Sequence, residues 1–158
     1  MHAFAQSGLA VGDVNGDGLP DLFIGQNMEA YVGGLLPKPY YDSNDGIPSY
    51  LLLNQGKLKF KETISKSGLA SKSRRRNLSS SIVDLDQNGS MDLVLTNNFA
   101  GVDVFSGSGS TLLDDKSAEW LDGTEMFGSS HLVADFNGLS YSCEGEADRS
   151  TGNVSTSD

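Results

Sequence analysis

The chain has 158 residues, enough for one domain with a hydrophobic core, and 19 of them are glycine. A formal net charge of −10 argues against nucleic acid and anionic membranes as partners, because both are also negative. Its one cysteine, Cys143, excludes an internal disulfide and a cysteine-based zinc site. No apolar run approaches the roughly 20 residues that span a bilayer, and residues 1–6 do not resemble a signal peptide.

The first predicted strand, near residues 8–13, leads into an acidic loop, and a second strand follows near 21–26. The loop has oxygen-bearing side chains at positions 1, 3, 5 and 9 and Gly18 at position 6, a pattern that predicts a Ca²⁺ site. Position 12 is Ile24 and not the glutamate of an EF-hand, so this loop joins strands. The predicted ligands are the side chains of Asp13, Asn15, Asp17 and Asp21 and the carbonyl of Leu19.

The long connection over residues 27–47 is rich in aromatic side chains, among them Tyr31, Tyr40 and Tyr41. Exposed aromatics on such a loop can contact a glycan or a protein, although such residues more often cover the base of their own loop. Both interpretations stay open at the level of sequence.

Two more strands are predicted near 49–54 and 58–64, and a basic cluster comes after them. We expect this cluster to be a solvated loop between repeats, with an anion contact or a protease-sensitive site as alternatives. The cluster consists of Lys72, Arg74, Arg75 and Arg76.

A second acidic loop begins 71 residues after the first, at Asp84, and has Leu95 at position 12. A single loop of this kind could be an acidic turn that binds nothing, but its recurrence with the same oxygen positions favours a second Ca²⁺ site. Strands are predicted around and after it near 79–84, 92–97, 102–106 and 110–114. The predicted ligands are the side chains of Asp84, Asp86, Asn88 and Asp92 and the carbonyl of Ser90.

The chain repeats itself, since Ser-Gly-Leu-Ala occurs at residues 7–10 and again at 67–70. A third acidic loop keeps only Asp135 and Asn137, after a ninth predicted strand near 129–135. This period and strand density predict an all-β fold, a partial β-propeller of about two four-stranded blades and the start of a third. The predicted units are 7–66, 67–125 and an incomplete 126–142, with a disordered polar tail at 143–158.

Residues 12–25 resemble the FG-GAP/VCBS repeat, the blade unit of integrin-α-like propellers. The resemblance extends over about residues 7–137. Over this range the chain is similar to FG-GAP-like repeat proteins that carry an ASPIC/UnbV region, such as cartilage-acidic-protein relatives. It implies a propeller stabilised by structural Ca²⁺, located extracellularly, at the cell surface or in the periplasm, that serves adhesion or protein and glycan binding. The chain has too few blades to close a ring, so we expect a fragment that could self-associate through open edges near 8–13 or 129–137.

No enzymatic activity is predicted. The available imidazoles are His2 and His131, and we expect His131 to pack on a strand. A scaffold segment of a larger secreted, carbohydrate-active or other enzyme and a non-functional truncation remain as alternatives. Asn77, Asn88 and Asn153 each begin an Asn-X-Ser glycosylation sequon.

Overall fold

The computed structural model describes residues 5–28, 36–37, 39–123, 128–134 and 142–147. These residues form three antiparallel sheets, and neighbouring strands in each sheet are consecutive in sequence. The first sheet contains β1 (Ala5–Gly12), β2 (Asp21–Asn27), β3 (Tyr50–Asn54) and β4 (Phe60–Glu62). The second contains β5 (Arg76–Val83), β6 (Asp92–Asn98), β7 (Gly101–Ser106) and β8 (Asp114–Asp115). The third contains β9 (Gly128–Ala134) and β10 (Ser142–Ala147).

Among the described residues, three short helical segments connect these strands. Two are 3₁₀ turns, Ile64–Lys66 and Ala70–Lys72, between β4 and β5. The third is a single α-helical turn, α1 (Ser117–Trp120), which packs on β7. The fold is therefore almost entirely β, with two four-stranded sheets in the order of propeller blades, as predicted.

The two four-stranded sheets share even their irregularities. A β-bulge interrupts the β1–β2 pairing between Gln6 and Gly8, and another interrupts β5–β6 between Asn77 and Ser79. The bulged positions are 71 residues apart, the same offset as the two acidic loops. Equivalent residues in β1 and β2 of the first sheet and in β5 and β6 of the second therefore differ by 71 in number.

The hydrophobic core lies between the first and second sheets, where β1 and β2 pack against β5. Phe23 from one sheet and Phe105 from the other are both fully buried there. Burial of each such side chain contributes about 1.5–3 kcal/mol to the free energy of unfolding. The remaining buried core residues are Ala10, Val14, Leu51, Leu69, Leu93, Leu95 and Leu113.

Glycines bring the first two sheets into close contact around Asn77. A Cβ on Gly25 would lie 1.9 Å from Oδ1 of Asn77, and one on Gly8 would lie 2.1 Å from the same atom. The Asn77 amide is itself satisfied, because Nδ2 donates to the carbonyl of Ser79 at 3.0 Å and Oδ1 accepts from Ser80 Oγ at 2.8 Å. A buried polar side chain with its partners in place thus fills the space that the two glycines leave.

The third sheet packs on the opposite side of the second sheet through β9. His131 lies between two hydroxyls, with Nδ1 2.8 Å from Thr96 Oγ1 and Nε2 2.9 Å from Ser81 Oγ. Close by, a Cβ on Gly128 would lie 2.4 Å from Cγ2 of Thr96. The prediction that His131 is a packed residue on a strand is confirmed.

Most predicted strands are confirmed, with three differences. The strand predicted at 58–64 is reduced to Phe60–Glu62, because Leu58 has left-handed backbone with φ 55° and Ile64 begins a 3₁₀ turn. The strand predicted at 110–114 is reduced to Asp114–Asp115, because residues before it form a turn with Gly109 at φ 66°. The predicted tail overlaps β10, where Cys143, Glu144, Gly145 and Ala147 pair with β9. Residues 148–158, and the predictions for His2, Tyr31, Asp135, Asn137 and Asn153, lie outside the described residues.

The prediction that the basic cluster is a solvated loop holds for Arg74, which is exposed, but it is wrong for Arg75 and Arg76. Arg75 and Arg76 are buried, with 7% and 2% of their surface exposed. Two carboxylates from the long connection, those of Asp42 and Asp45, lie against them. Sequence alone did not indicate that this distant acidic segment folds over the cluster and removes it from water.

Candidate metal centre

The two acidic loops adopt the same backbone conformation. Positions 4 and 6 have positive φ in both, with Gly16 at 72° and Gly18 at 82° in the first loop. In the second loop Gln87 is at 57° and Gly89 at 86°. Left-handed backbone at two alternate positions curls each loop into a tight turn, which glycine adopts at little cost. Gln87 adopts it without being glycine, so the loop imposes this geometry on its sequence.

The aspartate at position 1 closes each loop by accepting two backbone hydrogen bonds. Asp13 accepts from the N–H of Asp17 at 3.0 Å and of Gly18 at 2.7 Å. Asp84 accepts from the N–H of Asn88 at 3.0 Å and of Gly89 at 2.9 Å. This local capping explains why the two sequences form the same turn.

The aspartate at position 9 is fully buried in both loops and connects the loop to the third strand of its sheet. Asp21 accepts from the N–H of Val14 at 3.0 Å and of Asn54, at the end of β3, at 2.8 Å. Asp92 accepts from the N–H of Leu85 at 2.7 Å and of Gly107, just after β7, at 2.8 Å. These carboxylates therefore hold three chain segments together.

Burial raises the pKa of both position-9 carboxyls above the ordinary value of 3.8. Backbone hydrogen bonds lower the pKa in each case, and the neighbouring acidic side chains raise it further. The neighbours are Asp13 and Asp17 in the first loop and Asp84 and Asp86 in the second. A cation among these groups would relieve both the burial cost and the repulsion.

The loops differ at positions 3 and 5, where an amide and a carboxylate exchange places. In the first loop Asn15 Nδ2 donates to Asp17 Oδ2 at 2.9 Å. In the second loop the donor is Asn88 Nδ2 and the acceptor is Asp86 Oδ2, also at 2.9 Å. The same bond thus runs in opposite directions along the two loops.

This exchange determines where carboxylates cluster. Asp84, Asp86 and Asp92 offer oxygens that all lie within 4.8 Å of one another, and they are the one such acidic group among the described residues. The first loop brings its predicted ligands into one turn but does not form a comparable group of three carboxylates. Leu19 and Ser90, predicted to offer carbonyls, donate their N–H groups to the side chains at position 5.

A known family model matches the strand before the first loop, the loop itself and the strand after it. Residues 5–36 match the FG-GAP repeat. This FG-GAP repeat covers β1, the first acidic loop and β2, and it supports the assignment of the first sheet to a propeller segment. A comparison with curated proteins found no match. Within the described part of the chain, no helix is both long and apolar enough to cross a membrane.

Sequence reasoning missed a buried ionic cluster behind the core. Asp103, on β7, is 1% exposed, and its carboxylate lies 2.7 Å from Lys72 Nζ and 3.2 Å from Arg75 Nε. Asn97 Nδ2 also donates to it, at 2.8 Å. Burial raises the pKa of Asp103 while the two cations oppose that shift. The cluster ties the segment before β5 to the middle of the second sheet.

The long connection of the first sheet closes over the basic cluster and forms a clasp of two ion pairs. Arg76 binds both carboxylate oxygens of Asp45, at 3.0 and 2.9 Å, and Arg75 pairs with Asp42. Burial works to raise the pKa of Asp45, but hydrogen bonds from Arg76 and Ser43 outweigh it and hold the pKa below 3.8. Two aspartates in one loop and three consecutive arginines in a distant one were the available sequence indication, but nothing in it specified their pairing.

Proposed function

We propose that this chain is a calcium-binding segment of a β-propeller that works outside the cytoplasm in adhesion or ligand binding. The supporting observation is the group formed by Asp84, Asp86 and Asp92, whose oxygens lie within 4.8 Å of one another. Carboxylates this close repel one another unless a cation lies among them, and Ca²⁺ prefers such oxygen ligands. The FG-GAP match supports the propeller and the extracytoplasmic location. The finer likeness to ASPIC/UnbV and cartilage-acidic-protein relatives is part of this proposal and is supported only by the sequence pattern.

In this proposal the ion is structural. The second loop would hold it through Asp84, Asp86, Asn88 and Asp92, and the first through Asp13, Asn15, Asp17 and Asp21. With the carbonyls of Leu19 and Ser90, five protein ligands per site correspond to a Kd of about 10⁻⁴–10⁻³ M, as in extracellular modules. At a tenfold excess of Ca²⁺ over Kd, binding to the folded state stabilises it by about 1.4 kcal/mol per site.

The proposed role does not include catalysis. The clustered carboxylates accept backbone N–H groups, and the ring of His131 is held between two hydroxyls. Contacts with a protein or a glycan would instead come from exposed loops, with neither nucleic acid nor membrane insertion involved.

The strongest candidate for such a contact is an aromatic pair on the long connection. Tyr40 and Tyr41 are 51% and 58% exposed, and their rings pack edge to face with centroids 5.6 Å apart. The clasp holds the residues directly after them, so the pair sits on an anchored segment. Rigid exposed tyrosines are common contact residues for partners. A glycan array probed with the wild type and Tyr41→Ala tests this; equal binding by both proteins would exclude the pair as a glycan contact.

Calorimetric titration with Ca²⁺ tests the metal proposal directly. We expect about two sites in the wild type, a higher melting temperature in millimolar Ca²⁺ and weak competition by Mg²⁺. Asp86→Ala should abolish one site, whereas Asp122→Ala, which removes the same charge from an exposed position outside the loops, should keep both. Absence of heat, together with an unchanged melting temperature in Ca²⁺, would refute the proposal.

A further inference from the structure

The hairpin between β3 and β4 ends in a turn that its own residues do not favour. Lys59 donates its N–H to the carbonyl of Gly56 at 3.1 Å and closes the turn. The two central residues, Lys57 and Leu58, have positive φ of 54° and 55°, a geometry that hairpins usually obtain from Asn-Gly. Left-handed backbone is unfavourable for residues with a side chain, and such strain clusters where ligands bind. The turn holds Leu58 outward, with 86% of its surface exposed.

The same hairpin region carries most of the lysines of an acidic chain. Four of the seven lysines lie within residues 57–66: Lys57, Lys59, Lys61 and Lys66. All four are exposed, and within the described residues none of them forms an ion pair. Other cations of the described structure do pair with carboxylates, namely Lys72, Arg75, Arg76 and Lys116. The hairpin therefore offers positive charge that the described fold does not neutralise, on a chain with a net charge of −10.

β4 is the edge strand of the first sheet. The first and second sheets pack together through their first strands, β1 and β5, so their fourth strands lie at the outer rim. A further sheet that stacked on the first in the same way would cover one of its faces and leave this edge open. We call the edge the rim edge; it consists of Lys59, Phe60, Lys61 and Glu62.

Backbone groups of the rim edge point alternately towards β3 and away from the sheet. The carbonyl of Lys59 accepts the N–H of Gln55 at 2.7 Å, and the N–H of Thr63 donates to β3 at 2.9 Å. In an antiparallel ladder the intervening alternate residues turn their N–H and C=O groups the other way. Phe60 and Glu62 therefore direct their backbone groups outward, where an added strand can bond to them.

The side chains of the rim edge determine which kind of strand it can accept. Lys59 and Lys61 lie on the same side of the strand, about 7 Å apart, because alternate residues share a side. An added strand places its own alternate side chains opposite them with the same spacing. Carboxylates at those positions would be attracted, whereas the rim edge of a second copy would be repelled. A sulfated glycan could also neutralise lysines, but it offers neither peptide groups for the strand nor an apolar side chain for Leu58.

We propose that the rim edge binds an extended acidic segment of a partner protein by strand addition. Carboxylates at alternate positions of the segment pair with Lys59 and Lys61, its backbone bonds to that of β4, and an apolar side chain covers Leu58. This surface is separate from the tyrosine pair and from the acidic loops, and it needs no metal. Its failure would therefore leave the calcium proposal intact.

Fluorescence anisotropy in EDTA, with labelled and capped peptides of about eight residues, tests the proposal. A peptide that alternates glutamate and valine should bind the wild type, with an affinity that falls as NaCl is added. The same peptide methylated on its backbone nitrogens keeps its charges but cannot donate hydrogen bonds, and it should bind at least about tenfold more weakly. A peptide of the same composition with its glutamates in one block should lose a similar factor.

Protein variants then separate the rim edge from charge in general. Lys61→Glu should weaken binding at least about tenfold, because it places a carboxylate opposite carboxylates. Lys66→Glu makes the same charge change at an exposed residue outside β4, and it should alter the affinity by less than about twofold. Leu58→Gly removes the apolar contact but suits left-handed backbone, so it should weaken binding about threefold without lowering the melting temperature.

Circular dichroism melts confirm that these variants are folded. A wild type that does not bind the alternating peptide up to about 1 mM would overturn the proposal. Equal binding of the alternating and methylated peptides, or equal losses in Lys61→Glu and Lys66→Glu, would also overturn it, since charge alone would then account for the binding. Heparin is the probe for the alternative: if it binds more tightly than the peptide and depends equally on Lys61 and Lys66, the lysines serve a sulfated glycan and the strand-addition proposal is wrong.

Discussion

The first and second sheets have the same strand order and the same loop, but they meet their neighbours in opposite ways. In the first sheet Gly25, on β2, leaves space for Asn77 of the second sheet. In the second sheet the equivalent residue is Thr96, and it lies against Gly128 of the third sheet, where the first interface has Asn77. The large and the small residue have exchanged sides between the two interfaces.

The acidic loops show the same kind of exchange at positions 3 and 5, where Asn15 and Asp17 correspond to Asp86 and Asn88. In both comparisons the backbone is retained while the side chains trade places. The fold is therefore retained when a pair keeps the same two kinds of side chain, one large and one small or one amide and one carboxylate. The local chemistry depends on which member of the pair carries the charge or the larger side chain.

The largest effect should come from the position-9 aspartates, which are equivalent in both loops. Asp92→Ala leaves two buried N–H groups, those of Leu85 and Gly107, without an acceptor. We expect a loss of about 4 kcal/mol in the free energy of unfolding, measured by urea denaturation in EDTA. Asp21→Ala should cost a similar amount for the same reason.

The exposed Asp86→Ala is the matched control in the same loop. Its carboxylate accepts from the N–H and the Nδ2 of Asn88 at a solvent-exposed position, so its loss should change metal-free stability little. If Asp86→Ala and Asp92→Ala were equally destabilising in EDTA, the distinction between loop positions 3 and 9 would be wrong.

The next effect tests the exchange of bulk between the interfaces. Gly25→Thr places side-chain atoms where Asn77 now lies, and we expect a loss of about 3 kcal/mol from overpacking. Adding Asn77→Gly reproduces the residue pair found between the second and third sheets and should restore part of that stability. Thermal or urea unfolding of both single variants and the double variant gives the coupling free energy.

The coupling free energy should stabilise the double variant by more than about 0.5 kcal/mol, because the effects of independent sites usually add to within that amount. Additive losses would mean that the two positions do not compensate each other and that the exchange is incidental.

A smaller effect should follow from exchanging the amide and the carboxylate in the first loop. The double variant Asn15→Asp/Asp17→Asn keeps the net charge and gives the first loop the ligand order of the second. We expect its Ca²⁺ affinity to rise by on the order of tenfold, about 1.4 kcal/mol, in calorimetric titration. The reverse exchange, Asp86→Asn/Asn88→Asp, should weaken the second site, and unchanged affinities in both variants would contradict the assignment.

The smallest effect concerns pH at the second interface. Burial lowers the pKa of His131 below its ordinary value of 6.5, so the folded state binds this proton less readily than the unfolded state. The stability that depends on the neutral ring is present above pH 6.5 and is lost as the pH falls through the lowered pKa. His131→Gln should flatten the slope of unfolding free energy against pH below 6.5, and an unchanged slope would exclude this histidine as its source.

Much of the fold could be predicted because the sequence patterns that specify its strands and loops each lie within a short segment of the chain. Short apolar, β-branched runs bounded by turn residues predicted the strands β1, β2, β5 and β6, and the repeated acidic loops predicted the hairpins between them. The ligand set was also local, since oxygens spaced within nine residues must meet when the loop turns. Position 9 was the exception, because its burial and its bonds to the third strand require the assembled sheet.

The basic cluster shows where such reasoning fails. Lys72, Arg75 and Arg76 look like a solvated run, yet their partners lie 31–33 residues earlier or on the next sheet. Charge pairing across that distance depends on how the sheets stack and not on any spacing in the chain. The roles of Gly8 and Gly25 were hidden for the same reason, since the atom they accommodate belongs to the neighbouring sheet.

The burial of Asn77 has one more consequence, because this residue begins an Asn-X-Ser sequon. With 1% of its surface exposed, its amide cannot be reached by a glycosylating enzyme once the sheets have packed. A glycan attached earlier would occupy the space between Gly8 and Gly25 and keep the sheets apart. In a compartment that glycosylates nascent chains, modification and folding would therefore compete at this site, and speed of folding would decide whether the chain matures or is discarded.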